Sequence, residues 1–182
     1  MRRPGILLLV LGMTAAACSH PAPGPASQAA PDAAASEPGA GAPAEAPGGA
    51  VPAATVKFVY LDGLRAELAT RKRAGRPVFL NLWATWCAPC VDELPALGNL
   101  ARELGAKDPE IIGVSLDALT VPERDRVEPK IRDALSQSRV SYANLVVMGD
   151  QQAFMKEYGV SSGIPLSILY DGGGKTVQRW LG

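Results

Sequence analysis

One stretch constrains this chain more than any other. An apolar run, Pro77-Val78-Phe79-Leu80-Asn81-Leu82, leads directly into Trp83-Ala84-Thr85-Trp86-Cys87-Ala88-Pro89-Cys90, and Val91-Asp92-Glu93-Leu94-Pro95-Ala96-Leu97 then opens a helical pattern. The first part reads as a buried strand, so the Cys-x-x-Cys falls at a strand-to-helix junction. The two sulfurs are close enough to bridge. Cys87 stands where free backbone N–H groups and the helix dipole favour an anion. Its thiolate is therefore accessible near neutral pH, and the thiolate is the nucleophile of thiol–disulfide exchange.

A Cys-x-x-Cys can also be half of a structural zinc site, which needs four nitrogen or sulfur ligands. The chain has three cysteines and one histidine, and Cys18 and His20 stand far from the pair. That count argues against zinc. No metal and no separate cofactor are expected, the Cys87–Cys90 pair itself carrying the electrons.

The N-terminus reads as a targeting segment. Met1-Arg2-Arg3 followed by Ile6-Leu7-Leu8-Leu9-Val10-Leu11 has the charged and apolar regions of a secretory signal, with an apolar run too short to span a bilayer. Ala15-Ala16-Ala17-Cys18 resembles a bacterial lipobox, although Ala15 departs from the usual Leu. The expectation is a signal peptide over 1–17 and a lipidated Cys18 holding the protein at a membrane surface. Ordinary cleavage after Ala-x-Ala, leaving a soluble periplasmic protein, is the alternative. Half of the sixteen prolines lie between Ser19 and Thr55, and aromatic residues begin only at Phe58. Residues 18–54 are thus expected to be a disordered tether, and 55–182 the folded domain. That domain carries sixteen Lys and Arg against fifteen Asp and Glu, which implies no nucleic-acid face.

Within the domain, strand and helix signals alternate. Val56–Tyr60 reads as a strand, Leu64–Ala74 as a helix, 77–83 as the central strand, and 88–105 as a helix ending at Gly105. Glu110–Leu116 is a buried strand, Val121–Ser138 a charged helix with Pro122 and Pro129 near its start, and Leu145–Met148 a strand. Gln151–Tyr158 is a helix closed by Gly159, and Leu166–Tyr170 and Thr176–Leu181 form a hairpin across Asp171-Gly172-Gly173-Gly174. The cluster Arg71-Lys72-Arg73 with Arg76 reads as a solvated helix end. The fold class is α/β, a mixed central sheet flanked by helices, with a mostly parallel centre and an antiparallel finish.

Trp-Cys-x-x-Cys after a strand, with a later Gly163-Ile164-Pro165 before a hairpin, resembles the thioredoxin superfamily. Asn-Leu-Trp-Ala-Thr-Trp-Cys-Ala-Pro-Cys followed by Glu-Leu-Pro is similar to its TlpA/ResA/CcmG group of membrane-tethered bacterial oxidoreductases. Asn81 stands where plain thioredoxins carry a buried Asp, and about residues 117–150 match that group's helix–strand insertion. The resemblance implies a thioredoxin-like fold with Cys87 as attacking and Cys90 as resolving cysteine. It also implies a cis Pro165 that, with Ile164 and Trp86, shapes the substrate groove. Glu93, on nearly the same helix face as Cys90, would manage protons for the thiols. The family domain normally closes with a C-terminal helix, whereas Trp180-Leu181-Gly182 end this sequence, so a fold lacking that helix is expected.

The implied activity is extracytoplasmic reduction of substrate-protein disulfides, for example those of apocytochrome c or of copper-site cysteines. A membrane dithiol donor would recharge the protein, which is expected to be a monomer on the periplasmic side of the envelope. Two other readings stand beside this one. A tethered binding or copper-carrying module would use the two thiolates, with no Met or His at a motif position near Cys87. A peroxiredoxin-like peroxidase would need a local Thr and Arg pattern that is not found.

Overall fold

The computed structural model describes residues 51–182. The expected signal peptide, the lipidation site Cys18 and residues 18–50 of the tether lie outside the described residues. No helix among the described residues is long and apolar enough to cross a membrane.

The elements are β1 (Val56–Tyr60), α1 (Leu61–Arg73), β2 (Val78–Trp83), α2 (Ala88–Leu104), β3 (Glu110–Ser115), α3 (Asp117–Thr120), α4 (Arg124–Gln137), β4 (Ala143–Met148), α5 (Gln151–Tyr158), β5 (Leu166–Tyr170) and β6 (Thr176–Leu181). They build one six-stranded sheet in the order β1-β4-β3-β2-β5-β6. The β1–β4, β4–β3 and β3–β2 pairs are parallel, while β2–β5 and β5–β6 are antiparallel.

Strand alternation divides the core into two layers. Val78, Leu80 and Leu82 of β2 face Leu64 of α1 and Phe154 and Tyr158 of α5. Trp83 and Phe79 face the other way, toward Leu94 of α2 and Ile131 and Leu135 of α4. Sequence dictates the helix ends. Asp150 caps α5, its Oδ1 accepting from the N–H groups of Gln152 (2.8 Å) and Ala153 (3.1 Å). Gly159 closes α5 in the left-handed conformation at φ 61°.

Several expectations need correction. The first helix begins at Leu61, three residues early, with Asp62 in its first turn, where the dipole favours an acid. The helix expected over Val121–Ser138 is the single helix α4, which starts three residues late at Arg124, after Pro122; a short helix that was not expected, α3, precedes it and ends at Thr120. Pro122 lacks the N–H that would continue a helical ladder. The basic cluster is not simply solvated. Arg71 pairs with Glu67 and Glu110, and Arg76 with Asp108 and Glu110.

The insertion is present as α3, α4 and β4. Its strand lies inside the sheet, between β1 and β3. β6 leaves Val177, Trp180 and Leu181 exposed, with the Trp180 ring 5.8 Å from that of Phe79.

Candidate active site

The C-terminal end of β2 delivers the cysteines. After Trp83 the chain turns, the Cys87 N–H donating to the Ala84 carbonyl at 3.2 Å, and α2 begins at Ala88. Cys87 is the N-cap of α2, and its Sγ accepts the otherwise free Cys90 N–H at 3.3 Å. In the reduced protein the same N–H would stand beside a Cys87 thiolate, where the helix dipole favours negative charge. Pro89 occupies the first turn, where its missing N–H leaves nothing unsatisfied.

Cys87 and Cys90 form a disulfide with Cα atoms 5.2 Å apart. The two sulfurs are not equivalent: Cys87 is 7% exposed and Cys90 1%. Only Cys87 lines a groove of about 380 Å³, with Trp86, Leu119, Met155, Val160 and Ile164 among its walls. Trp86 is exposed at the rim, while Trp83 is fully buried.

Across the groove the Ile164–Pro165 bond is cis, as the resemblance implied, and the Ile164 carbonyl oxygen lies 3.6 Å from Cys87 Sγ. A second cis bond, Asp108–Pro109, has no counterpart among the expectations and lies away from the disulfide, before β3.

Glu93 is half-buried on α2, and burial raises its carboxyl pKa above the ordinary value. The backbone of Gly182 approaches it closely: a Cβ there would stand 2.5 Å from Glu93 Oε1 and 2.6 Å from Pro165 Cγ. The Gly182 N–H donates to the Pro165 carbonyl at 3.1 Å. Cys87, Cys90, Trp86, Ile164, Pro165 and Glu93 therefore gather at one end of the sheet. Asn81 is buried beneath them on β2, donating to Ser167 Oγ at 3.3 Å, and its Oδ1 has no protein partner. A cleft of about 310 Å³ at the opposite end of β2, beside Val78 and Tyr170, holds no cysteine.

Two polar side chains at this site were missed in the sequence. Asp117, at the start of α3, is buried and accepts from Thr85 and Ser115. Asn144, on β4, is buried and accepts from the Trp83 indole. Each lies in a short apolar context without a motif, so only the buried-strand reading of its surroundings hinted that a polar side chain there needs a partner.

A dithiol–disulfide pair at a helix N-terminus, facing a cis-proline on a mixed sheet, defines a thioredoxin-like redox fold. The chain belongs to the Redoxin family, which matches residues 46–178. It is 34% identical over 122 residues to the thiol-disulfide oxidoreductase ResA of Bacillus thuringiensis (strain Al Hakam), covering 67% of this chain and 63% of that protein. It is 29% identical over 123 residues to ResA of Bacillus subtilis (strain 168), covering 66% and 62%. The chain thus spans less than two thirds of the length of these relatives. Among solved structures, the thioredoxin domain of a thiol-disulfide oxidoreductase from Bacteroides vulgatus superposes with a TM-score of 0.51 at 27% identity, covering 63% of this chain and 74% of that one.

Proposed function

We propose that this protein is an extracytoplasmic thiol–disulfide oxidoreductase that reduces disulfides in substrate proteins. The observation that carries the reading is the asymmetric Cys87–Cys90 disulfide, with Cys87 at the groove and Cys90 behind it.

In the reduced protein, the Cys87 thiolate attacks one sulfur of a substrate disulfide. A Cys87–substrate bond forms, the substrate's S–S bond breaks, and its other sulfur leaves as a thiolate. Cys90 then loses its proton and attacks Cys87 Sγ. The Cys87–Cys90 bond forms and the second substrate thiol departs, so the substrate gains two electrons and the protein loses two. Glu93, half-buried three residues beyond Cys90, is the group proposed to accept and return the Cys90 proton. Trp86, Ile164 and Pro165 hold the substrate chain beside Cys87.

A dithiol donor at the membrane restores the reduced state. The substrates we favour are apocytochrome c and copper-site cysteines, met on the periplasmic side of a bacterial envelope by a domain anchored through lipid on Cys18. The supports for this setting are the signal-like N-terminus and the relatives named ResA.

The test is a trap. Cys90→Ser protein, expressed in its own host, should accumulate a mixed disulfide on Cys87 that mass spectrometry identifies. Apocytochromes or copper-site proteins on Cys87 would assign a maturation role, and a broad set of partners a general reductant. An unreactive Cys87 with no adduct would sink the oxidoreductase reading.

A further inference from the structure

Among the described residues Asp117 is the one buried carboxylate, 3% exposed, and the redox steps above leave it without a task. All its side-chain contacts are donors. The Thr85 N–H reaches both oxygens, at 3.2 and 3.1 Å; the Thr85 hydroxyl donates to Oδ1, and the Ser115 hydroxyl donates to Oδ2 at 2.8 Å. Such an acceptor-only setting suits a carboxylate carrying its charge. No Lys, Arg or His is bonded to it, so three polar hydrogens, not a cation, hold it in the interior.

The place matters as much as the contacts. Thr85 is separated from Cys87 by one residue, which keeps their Cα atoms within about 7.6 Å. Leu116, just before Asp117, and Leu119, two residues after it, line the same groove as Cys87. The Leu116 N–H also donates to the Trp83 carbonyl at 2.9 Å, so the segment entering α3 grips the cysteine loop at two successive points. Of the charged groups on the elements around Cys87, Glu93 of α2 is half-buried and Asp92 is exposed. Neither lines the groove, and apart from Cys87 none of the residues that do, whether from α3, from α5 or before Pro165, is ionisable.

We propose that Asp117 is the positioning residue of the attacking cysteine: its carboxylate ties the Thr85 backbone and hydroxyl to the end of β3, and its buried negative charge opposes ionisation of the Cys87 thiol. The assignment rests on the thiol–disulfide reading above and refines it. The N-terminus of α2 favours the Cys87 thiolate, and Asp117 sets a limit on that preference. A less stabilised thiolate means a less stabilised reduced form, which makes the pair the better reductant.

The experiment measures Cys87 alkylation by iodoacetamide against pH in the full chain, in a Cys90→Ser background so that one site thiol reports. Asp117→Asn keeps the shape and most of the hydrogen bonds and removes the charge. Its alkylation midpoint should fall by at least about half a pH unit, a threefold change in the thiol equilibrium. With Cys90 restored, the equilibrium with glutathione should shift about threefold toward the reduced protein. Asp117→Ala removes the tether as well, and its rate of disulfide reduction should drop about tenfold below that of Asp117→Asn. Midpoints unchanged from wild type in both variants would overturn the proposal, whatever their stability.

If Asp117→Asn does not fold, Thr85→Val carries the test. It keeps the charge and withdraws one donor, so the midpoint should rise; a midpoint that stays or falls overturns the proposal. Alkylation needs no redox partner. A protein that reduces no disulfide, yet whose thiol titration depends on Asp117, would refute the function proposed above and leave this assignment standing.

Discussion

The Trp83 indole N–H donates to Asn144 Oδ1 at 3.0 Å, joining the last residue of the central strand to the inserted strand. Both side chains are fully buried, and the Asn144 amide in turn donates to the Tyr142 carbonyl at 3.1 Å. Asn144→Ala strands the indole N–H, and an unsatisfied buried donor costs about 1–3 kcal/mol. Urea unfolding should show a loss of that size, with the midpoint lowered and the slope unchanged.

Gly113 makes that bond possible. It sits on β3 beneath the pair, and a Cβ there would stand 1.9 Å from Asn144 Oδ1. Gly113→Ala should therefore cost about 3 kcal/mol through overpacking. The Gly113→Ala/Asn144→Ala double variant removes the clashing atom. Its loss should be smaller than the sum of the two single losses by more than about 1 kcal/mol, measured by the same unfolding series.

Glu93 predicts a pH dependence. Burial raises its pKa in the folded state, so the folded protein binds this proton more tightly than the unfolded chain. Stability from this group is full below the ordinary glutamate value and declines as pH rises through the raised one. Glu93→Gln does not titrate. Its stability relative to wild type should thus increase with pH across that window and then level off. In stopped-flow measurements the same variant should slow the resolving attack by Cys90 more than the first attack by Cys87.

The groove predicts a split between substrates. Met155 and Leu119 give it apolar walls next to Cys87. Met155→Glu should raise KM for an unfolded disulfide-bearing protein about tenfold, the loss of one good apolar contact. A small aromatic disulfide that reaches only Cys87 should be reduced at nearly the wild-type rate.

Much of this was legible in the chain because local signals and the global fold agree. α5 runs over Gln151–Tyr158 as read, since Asp150 and Gly159 mark its two ends chemically. The hairpin strands β5 and β6 also fall where alternation put them. α3 was not legible, because four residues are too few to display a period. With α3 went Asp117, whose importance comes from Thr85, distant in sequence. The cis bond at Pro165 was reached only through the resemblance, and that at Pro109 not at all. The place of β4 inside the sheet depends on strand pairing, which no single segment encodes.

That place of β4 orders events in time. Among the described residues β1 pairs with β4 alone, from Val56 opposite Asn144 to Tyr60 opposite Met148. During synthesis β1 emerges before the five other described strands, yet it has no hydrogen-bonding neighbour among them until the ribosome has passed Met148. Its backbone must wait while β2 and β3, adjacent in the sheet and closer in sequence, can already pair. The first of the described strands to be made thus joins the sheet only after the three that follow it.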